Sequence, residues 1–525
     1  METCCIGYND AMNFSMVQPI GFSEKKEVRE AAQLSVSLAK KFRSREGFHK
    51  KKGKAKILPK LPRHVWVRIN DFVGPIVVEG EDMTQWTTVQ IPCMNVRFLG
   101  KAWRVSSIKY EHLIFFSSLQ QLNLSHSGLR GEATFFLKML SMALKAKSCC
   151  LKDLNLSNNS LGELGGERLG EALAANSSLQ KLDLSLTDLG PEGGAAILRN
   201  IPSNLEELIL SRNCLGEGCG EAIGDCIQNS NSLRRLVLVG NCLEGKSIAK
   251  ALRVNTSLRV LDLEYNNLSP DCYSALGDAL QVNTSLLDLN LKFNLVGSEG
   301  GLAIARGLAV NKALNTLNME QNNLGPGVGS ELGKALARNS TLTTLLLGGN
   351  SFGQGGAVAL IQVLKSNHTL KALGLERNHL GPQDGIAVGE ILRTNAILDT
   401  LALSGNCLKP EGGLALVKGL SSNVSLKKLT LASNKLDAGC GILLSEALLT
   451  NSTLQYLDVS NNTIGREGGK AIRAGLIHNS SLKKLKVAGN FMGPDTERSI
   501  FETVENKDFI LVPEQGDQAA FLKIF

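Results

Sequence analysis

The sequence predicts an α/β solenoid in which one short strand and one helix recur along the chain. Leucine returns at a step of 28 residues, without insertion, across nine units. Within each unit a period-two apolar segment precedes a helical one, and asparagine follows the first segment at a fixed position. A fixed period of this length is typical of stacked repeats. The first leucines are Leu258, Leu286, Leu314, Leu342, Leu370, Leu398, Leu426, Leu454 and Leu482.

Residues 1–63 are basic, with 14 Lys and Arg against 6 Asp and Glu, an excess equal to the +8 net charge of the whole chain. They lack a strong apolar period, which favours a disordered segment; an electrostatic docking arm and a targeting segment are alternatives. Glu24, Glu27 and Glu30 argue against organellar targeting, because such segments are poor in acids. Since the remaining chain is neutral overall, we expect no nucleic-acid partner.

Residues 64–118 show β-rich alternation that is interrupted at Gly74-Pro75 and at Gly80. They also contain the three tryptophans of the chain. The end of a solenoid exposes apolar side chains that need a cover. We therefore predict a small β-rich module or an N-terminal cap.

The repeat array spans residues 119–497 and contains about 14 units. Its early units begin at Leu119, Leu151, Leu179, Leu205 and Leu233, with uneven spacing before the regular set. Terminal units of a solenoid are often atypical. Residues 498–525 are predicted to form a C-terminal cap or tail.

Each unit begins with the pattern xxLxL, which predicts a strand with leucines pointing inward. An asparagine follows in twelve units, and its amide can satisfy backbone groups where the chain leaves the strand. Ser127 and Thr187 replace it in two units. The asparagines are Asn159, Asn213, Asn241, Asn266, Asn294, Asn322, Asn350, Asn378, Asn406, Asn434, Asn462 and Asn490.

The second half of each unit predicts an amphipathic helix, as in Ala357, Leu360, Ile361 and Leu364. Gly pairs are predicted to form a tight turn into this helix. They occur at 300–301, 355–356, 412–413 and 468–469. A second asparagine column, three residues before the next strand's leucine, is predicted to end each helix in the left-handed conformation. It comprises Asn255, Asn283, Asn311, Asn339, Asn367, Asn395, Asn423, Asn451 and Asn479.

Parallel strands lie about 4.8 Å apart, whereas helices are about 10 Å wide. The array should therefore curve into a horseshoe, with parallel strands on the concave face and helices on the convex face. The unit LxxLxLxxNxLGxxGGxxLAxxLxxNxSL resembles the leucine-rich repeat of the ribonuclease-inhibitor-like subfamily, and NOD-like receptors and Ran GTPase-activating protein use similar repeats. The resemblance covers about residues 119–495 and implies the horseshoe fold, which hosts many different partners.

No catalytic constellation is evident in the sequence, so we expect neither an enzyme nor a cofactor or metal site. Residues 240–247, GNCLEGKS, match the P-loop pattern, but the repeat assigns Asn241 to the asparagine column and Leu243 to the core. The 12 cysteines lack disulfide or zinc spacing, which favours a reducing compartment. We expect no membrane span and an intracellular location, cytoplasm or nucleus, or a plastid or mitochondrion if residues 1–63 are a targeting segment.

Partner specificity should lie on the concave face, where side chains are not needed for packing. Its last variable column, just before each asparagine, places Tyr265 and Phe293 side by side. This pair resembles an interface anchor with a polar rim, although both rings could instead cover backbone at the strand edge. The predicted rim is Asp262, Glu264, Asp288, Lys292, Glu320 and Gln321, with Arg377 a further exposed candidate.

The favoured function is a non-catalytic scaffold that binds a protein partner on the concave face. The alternative, implied by the resemblance to Ran GTPase-activating protein, is a regulator of a small GTPase. The mixed C-terminal segment differs from that family's acidic one, and Arg130, Arg212 and Arg377 are candidates by exposure only. Lys483, Lys484 and Lys486 form a basic cluster in the last unit, which we expect to be a solvated end-face.

Overall fold

The computed structural model describes residues 77–79, 88–90, 119–130, 135–505 and 510–511. The chain divides into two compact units, residues 1–204 and 205–525. The predicted basic segment 1–63 lies outside the described residues, as does most of 64–118 and most of the tail 498–525. Those segment assignments stay predictions.

The first unit contains a short antiparallel pair followed by parallel strands in chain order. Strands β1 (Val77–Glu79) and β2 (Thr88–Gln90) pair antiparallel, and β2 then pairs in parallel with the first repeat strand. The repeat strands are β3 (Gln121–Asn123), β4 (Asp153–Asn155) and β5 (Lys181–Asp183). They alternate with α1 (Phe135–Lys145), α2 (Gly162–Leu173) and α3 (Gly190–Arg199).

The second unit continues the same alternation, and each strand pairs in parallel with the next. Its strands are β6 (Glu207–Ile209), β7 (Arg235–Val237), β8 (Val260–Asp262), β9 (Asp288–Asn290), β10 (Thr316–Asn318), β11 (Thr344–Leu346), β12 (Ala372–Gly374), β13 (Thr400–Ala402), β14 (Lys428–Thr430), β15 (Tyr456–Asp458), β16 (Lys484–Lys486) and β17 (Ile510–Leu511). Its helices are α4 (Gly220–Asn229), α5 (Lys246–Leu252), α6 (Pro270–Val282), α7 (Gly297–Leu308), α8 (Pro326–Leu336), α9 (Val358–Gln362), α10 (Pro382–Leu392), α11 (Lys409–Leu420), α12 (Ala438–Thr450), α13 (Gly465–His478) and α14 (Pro494–Glu505). The predicted α/β solenoid of about 14 repeats is confirmed.

Leucine fills the interior of every repeat, as predicted. In the repeat that begins at Leu342, the side chains of Leu342, Leu345 and Leu347 are all buried. Leu345 pairs with Leu317 on one side and with Leu373 on the other, so leucines stack on leucines. Burying one such side chain stabilises the fold by about 2 kcal/mol, which makes the stack the main source of cohesion.

The first asparagine column forms a buried hydrogen-bonded ladder. The amide nitrogen of Asn294 donates to the carbonyl oxygens of Leu263, at 2.7 Å, and Leu291, at 3.1 Å. Its backbone N–H donates to Oδ1 of Asn322 in the next repeat, at 2.8 Å. Asn294 therefore joins neighbouring repeats where strand pairing ends, and this satisfies backbone groups that are closed off from water.

The second asparagine column forms another ladder, and its predicted left-handed conformation is wrong. Asn283 follows α6 with φ −72° and ψ 128°, which is extended backbone. Its amide nitrogen donates to the carbonyl oxygens of Leu252, at 2.6 Å, and Asn255, at 3.2 Å, while Oδ1 accepts from the N–H of Leu286 at 2.8 Å. Because the side chain satisfies the carbonyl at the end of the preceding helix, no left-handed cap is required.

The Gly pairs mostly lie inside helices, which corrects their predicted role as a turn. Gly300 and Gly301 are the fourth and fifth residues of α7. A methyl group on Gly301 would lie 2.9 Å from Val328 Cγ2 in the next helix, and one on Gly300 would lie 2.9 Å from Tyr273 Cβ in the preceding helix. Their role is to allow adjacent helices to pack closely.

One repeat departs from this scheme. In the pair 355–356, Gly355 has φ +76°, and α9 spans only five residues before a 3-10 turn at Val363–Lys365. The carboxylate of buried Asp384, in α10, accepts from the N–H groups of Gly355, at 2.7 Å, and Ala357, at 3.2 Å. The next repeat thus supplies the hydrogen bonds that the short helix lacks.

Among the residues that the structure describes, no helix is both long and apolar enough to cross a membrane.

Candidate functional site

The predicted partner-binding column lies in a left-handed turn immediately after each strand rather than within the strand. We call it the strand-end turn. In the second unit its backbone is tied to the next repeat, as in the N–H of Tyr265, which donates to the carbonyl of Lys292 at 2.9 Å. All 14 members have positive φ: His126, Asn158, Leu186, Arg212, Gly240, Tyr265, Phe293, Gln321, Gly349, Arg377, Gly405, Ser433, Asn461 and Gly489.

Side chains in the strand-end turn lean toward the next repeat. A methyl group on Gly405 would lie 2.8 Å from Cγ of Arg377, and one on Gly240 would lie 3.3 Å from Cγ of Arg212. The glycines of this column therefore make room for the long side chain that precedes them. Arg377 is exposed there, three repeats beyond Phe293, so the structure does not bring it to the aromatic pair.

Tyr265 and Phe293 form an exposed aromatic pair. Their ring centroids lie 6.1 Å apart with an interplanar angle of 64°, an edge-on contact that aromatic rings favour. The residues are 47% and 42% exposed, so the two rings do not bury each other. Leu295, also left-handed, is 69% exposed two residues further on. We call Tyr265, Phe293 and Leu295 the aromatic edge.

Lys292 links the aromatic edge to the strand face. Its Nζ lies 5.4 Å from the Phe293 ring centroid and 3.0 Å from Glu320 Oε2. Both side chains of this ion pair are mostly shielded from water, at 16% and 21% exposure. The ring, the ammonium and the carboxylate therefore form one connected group across two repeats.

The strand face beside the aromatic edge is acidic, and we call Asp262, Glu264, Asp288 and Glu320 the acidic row. Burial raises the pKa of Asp262 to about 6, and the nearby charges of Glu264 and Asp288 add to the rise. Burial also raises the pKa of Asp288, opposed by the charge of Arg235. Glu264 Oε2 accepts a hydrogen bond from the amide of Asn290 at 3.0 Å.

The structure brings the predicted rim residues Asp262, Glu264, Asp288, Lys292 and Glu320 together on strands β8 to β10 and their exits. Gln321 follows Phe293 in the column, and its side chain packs against Gly349 of the next repeat. Sequence reasoning missed Asn290 and Leu295. Both stand two residues from a predicted site residue, on the same period-two pattern, and that alternation could have found them.

Glu376 is a further acid on the strand face that the sequence analysis did not single out. Its Oε2 is buried and has no hydrogen-bond partner among the described residues. Burial raises the pKa of Glu376 to about 7, the charge of Glu320 adds to the rise, and Lys428 and Lys292 oppose it. The position holds a carboxyl group that gains its proton near neutral pH.

The P-loop match at 240–247 is part of the repeat structure. The N–H of Asn241 donates to Oδ1 of Asn266 at 2.9 Å, and Leu243 is buried. Nζ of Lys246 lies 2.9 Å from Oδ2 of Asp271. Within the described part of the chain, no group of three or more His, Cys, Asp or Glu side chains is placed to hold a metal ion.

Comparison with known proteins finds the Leucine Rich repeat family at residues 147–170, 175–198, 254–276, 282–305, 338–360, 394–417 and 450–472. NACHT, LRR and PYD domains-containing protein 3 of Bos taurus is 29% identical over 201 residues, 35% of this chain and 19% of that protein. Tonsoku-like protein of Bos taurus is 36% identical over 151 residues, 26% of this chain and 11% of that protein. The chain thus spans at most 19% of the length of these two relatives.

Among solved structures, the crystal structure of the Rad7 and Elc1 complex in yeast is similar over 74% of this chain and 84% of that chain, with a TM-score of 0.42 and 18% sequence identity.

Proposed function

We propose, since the chain is a leucine-rich-repeat protein, that it is a non-catalytic scaffold that binds a protein partner through the strand-bearing side of its repeats. In this proposal the aromatic edge anchors the partner and the acidic row forms the polar rim. A stack of repeats offers a long, preformed surface, so little conformational entropy is lost when a partner binds.

The observation that carries the proposal is the exposure of two aromatic rings at left-handed backbone positions. Tyr265 has φ 58° and Phe293 has φ 55°. A bulky residue in this conformation costs on the order of 1–2 kcal/mol. The repeat imposes this conformation on all 14 members of the strand-end turn, so the feature specific to Tyr265 and Phe293 is that both rings stay exposed, and two adjacent exposed aromatic rings support a role in binding.

The charges around the rings indicate the chemistry of the partner. Asp262, Glu264 and Asp288 lie together. Within the described part of the chain, Glu320 is the one acid of the row that forms an ion pair, and its partner is Lys292. A partner surface with Lys or Arg around an apolar centre complements this arrangement. Such a rim gives specificity and a faster association rate.

Buried neutral thiols support an intracellular location. Burial raises the pKa of Cys226, Cys272 and Cys440 to about 12. These three cysteines are free thiols, which suits a reducing compartment. The choice among cytoplasm, nucleus and organelle is part of the proposal and is tested by imaging the full chain.

The test is quantitative affinity capture from cells that express the protein, with wild type compared with Tyr265→Ala/Phe293→Ala. The double variant should lose the specific partner. The matched control, Val424→Ala/Phe491→Ala, removes two exposed apolar side chains elsewhere and should keep it. Equal recovery by all three proteins would remove the aromatic edge from the binding surface.

The alternative of small-GTPase regulation stays a prediction. GTP hydrolysis by candidate GTPases, measured with and without the chain, separates it from the scaffold proposal. A rate that rises with the concentration of this chain would favour the alternative.

A further inference from the structure

A second charged group lies on the strand face of the last repeats. Lys428 on β14, Tyr456 on β15 and Lys484 on β16 occupy equivalent positions in paired register. Lys486 lies on the same face, two residues after Lys484. We call these four residues the lysine–tyrosine cluster.

The tyrosine ring lies between two ammonium groups. Nζ of Lys428 is 5.5 Å from the ring centroid and Nζ of Lys484 is 5.6 Å from it, one from each neighbouring strand. All four residues are half-buried. Lys483 is exposed, whereas period-two alternation places Lys484 and Lys486 on the partly covered strand face; the solvated end-face stays a prediction.

The cluster carries an excess of positive charge. Burial lowers the pKa of Lys428, and the charges of Lys484 and Lys486 lower it further, while Glu376 opposes them. Lys484 and Lys486 form no ion pair within the part of the chain that the structure describes. The nearest acid in register, Asp458, accepts from the N–H and hydroxyl of Ser460 at 3.0 and 2.6 Å. Two half-buried cations thus lie on this strand face without an ion pair among the described residues, beside a third at Lys428, and this favours an anionic ligand.

Two features favour a carboxylate-bearing peptide over nucleic acid. Base stacking requires an open aromatic face, and the Tyr456 ring already has an ammonium from each neighbouring strand. The carboxylate of Asp458 lies on the same strand face and would repel a continuous phosphate backbone.

We propose that the lysine–tyrosine cluster binds an acidic segment, rich in Asp or Glu, of the protein partner. The inference rests on the proposed function in placing a protein on the strand-bearing side, but it concerns different residues. The acidic row on β8 to β10 lies six strands away, roughly 29 Å along the stack. A partner with a basic region and an acidic region would therefore bind in one direction only.

The experiment measures binding of a fluorescein-labelled deca-glutamate peptide to the full chain by fluorescence anisotropy at low salt. Wild type should bind saturably, and Lys428→Gln/Lys484→Gln should weaken binding about tenfold or more. The matched control is Lys427→Gln/Lys483→Gln, which removes the same charge from exposed residues that directly precede the two strands. The control should retain nearly all of the affinity.

Three outcomes would overturn the proposal: no saturable binding to wild type, equal weakening in both lysine pairs, or tighter binding of a ten-nucleotide oligothymidylate through the same lysines. Tyr265→Ala/Phe293→Ala should bind deca-glutamate as wild type does. Loss of the cellular partner by that variant, with deca-glutamate binding intact, separates the two proposals. Circular dichroism spectra that match wild type establish that each variant is folded.

Discussion

Oδ1 of Asn322 accepts a hydrogen bond from the backbone N–H of Asn294, one repeat earlier, at 2.8 Å. The same oxygen accepts from the N–H of Val296 at 3.3 Å, while the amide nitrogen donates to the carbonyl of Leu291 at 2.8 Å. Asn322 is fully buried, and its amide nitrogen also donates to the carbonyl of Glu320 in its own repeat at 2.9 Å, so one side chain satisfies backbone groups of two repeats. The cohesion of the array therefore has a polar component that is separate from its leucine core.

We expect Asn322→Ala to destabilise the surrounding repeats by about 3 kcal/mol, because each buried backbone group left unpaired costs about 1–3 kcal/mol. Hydrogen exchange should show faster exchange at the amides of Asn294 and Val296. Asn315→Ala, in the same repeat but exposed, is the control and should leave exchange unchanged. Unchanged protection in both variants would mean that the ladder contributes little.

Gly389 in α10 lies against the next helix, where a methyl group would overlap the carbonyl oxygen of Ala415 and lie 3.0 Å from the nitrogen of Leu416. Gly389→Ala should lower the free energy of unfolding by about 1–3 kcal/mol through overpacking. Gly327→Ala in α8, with open space around it, should instead raise it by up to about 1 kcal/mol through helix propensity. Urea unfolding measures the free energy of unfolding of both variants relative to wild type. A change in the same direction in both variants would contradict the close-packing role of Gly389.

Stability should depend on pH through Glu376, whose pKa in the folded chain, about 7, lies above its ordinary 4.5. The folded protein binds this proton more tightly than the unfolded chain does. The stability that protonation of Glu376 confers is therefore complete below about pH 4.5 and is lost as the pH rises through about 7. Glu376→Gln should therefore be more stable than wild type at pH 8, by on the order of 2 kcal/mol. The free energy of unfolding, measured from pH 5 to 8, checks this prediction. Glu446→Gln, at an exposed position, is the control. A wild-type dependence on pH that runs parallel to that of Glu376→Gln would refute the prediction.

The P-loop match should bind no nucleotide, since Lys246 pairs with Asp271 and Asn241 belongs to the buried ladder. We expect no saturable binding of a fluorescent ATP analogue with Mg²⁺. Lys246→Ala should leave the free energy of unfolding close to that of wild type, because its ion pair is exposed. Saturable nucleotide binding that Lys246→Ala abolishes would reverse this interpretation.

The repeat register and the buried positions could be predicted from sequence because they depend on period alone. Leu345 is buried because alternation places it opposite the exposed positions of its strand, and twelve asparagines in register predicted a ladder. The conformation of Asn283 could not be predicted, because its side chain bonds to the helix of the preceding repeat. A local rule for helix ends takes no account of that partner.

The candidate site was predicted only in part for a similar reason. Tyr265 and Phe293 are neighbours, as the common period requires. Their left-handed backbone depends on hydrogen bonds to the following repeat, which favour a conformation that neither residue prefers. The burial of Glu376 depends on Gly374 and Gly348, over which its carboxylate lies. Such packing between adjacent strands has no signature in a single repeat.

The regular span of the two asparagine bonds has a consequence for how this gene can change length. Around Asn378 and Asn395 the bonds join residues 28 or 31 positions apart, as they do in the repeats on either side. Excision or duplication of one 28-residue unit would give every donor a new but equivalent acceptor. A change of length within one repeat is also compatible with the ladder, since Asn241 and Asn266, only 25 residues apart, keep the same bond at 2.9 Å.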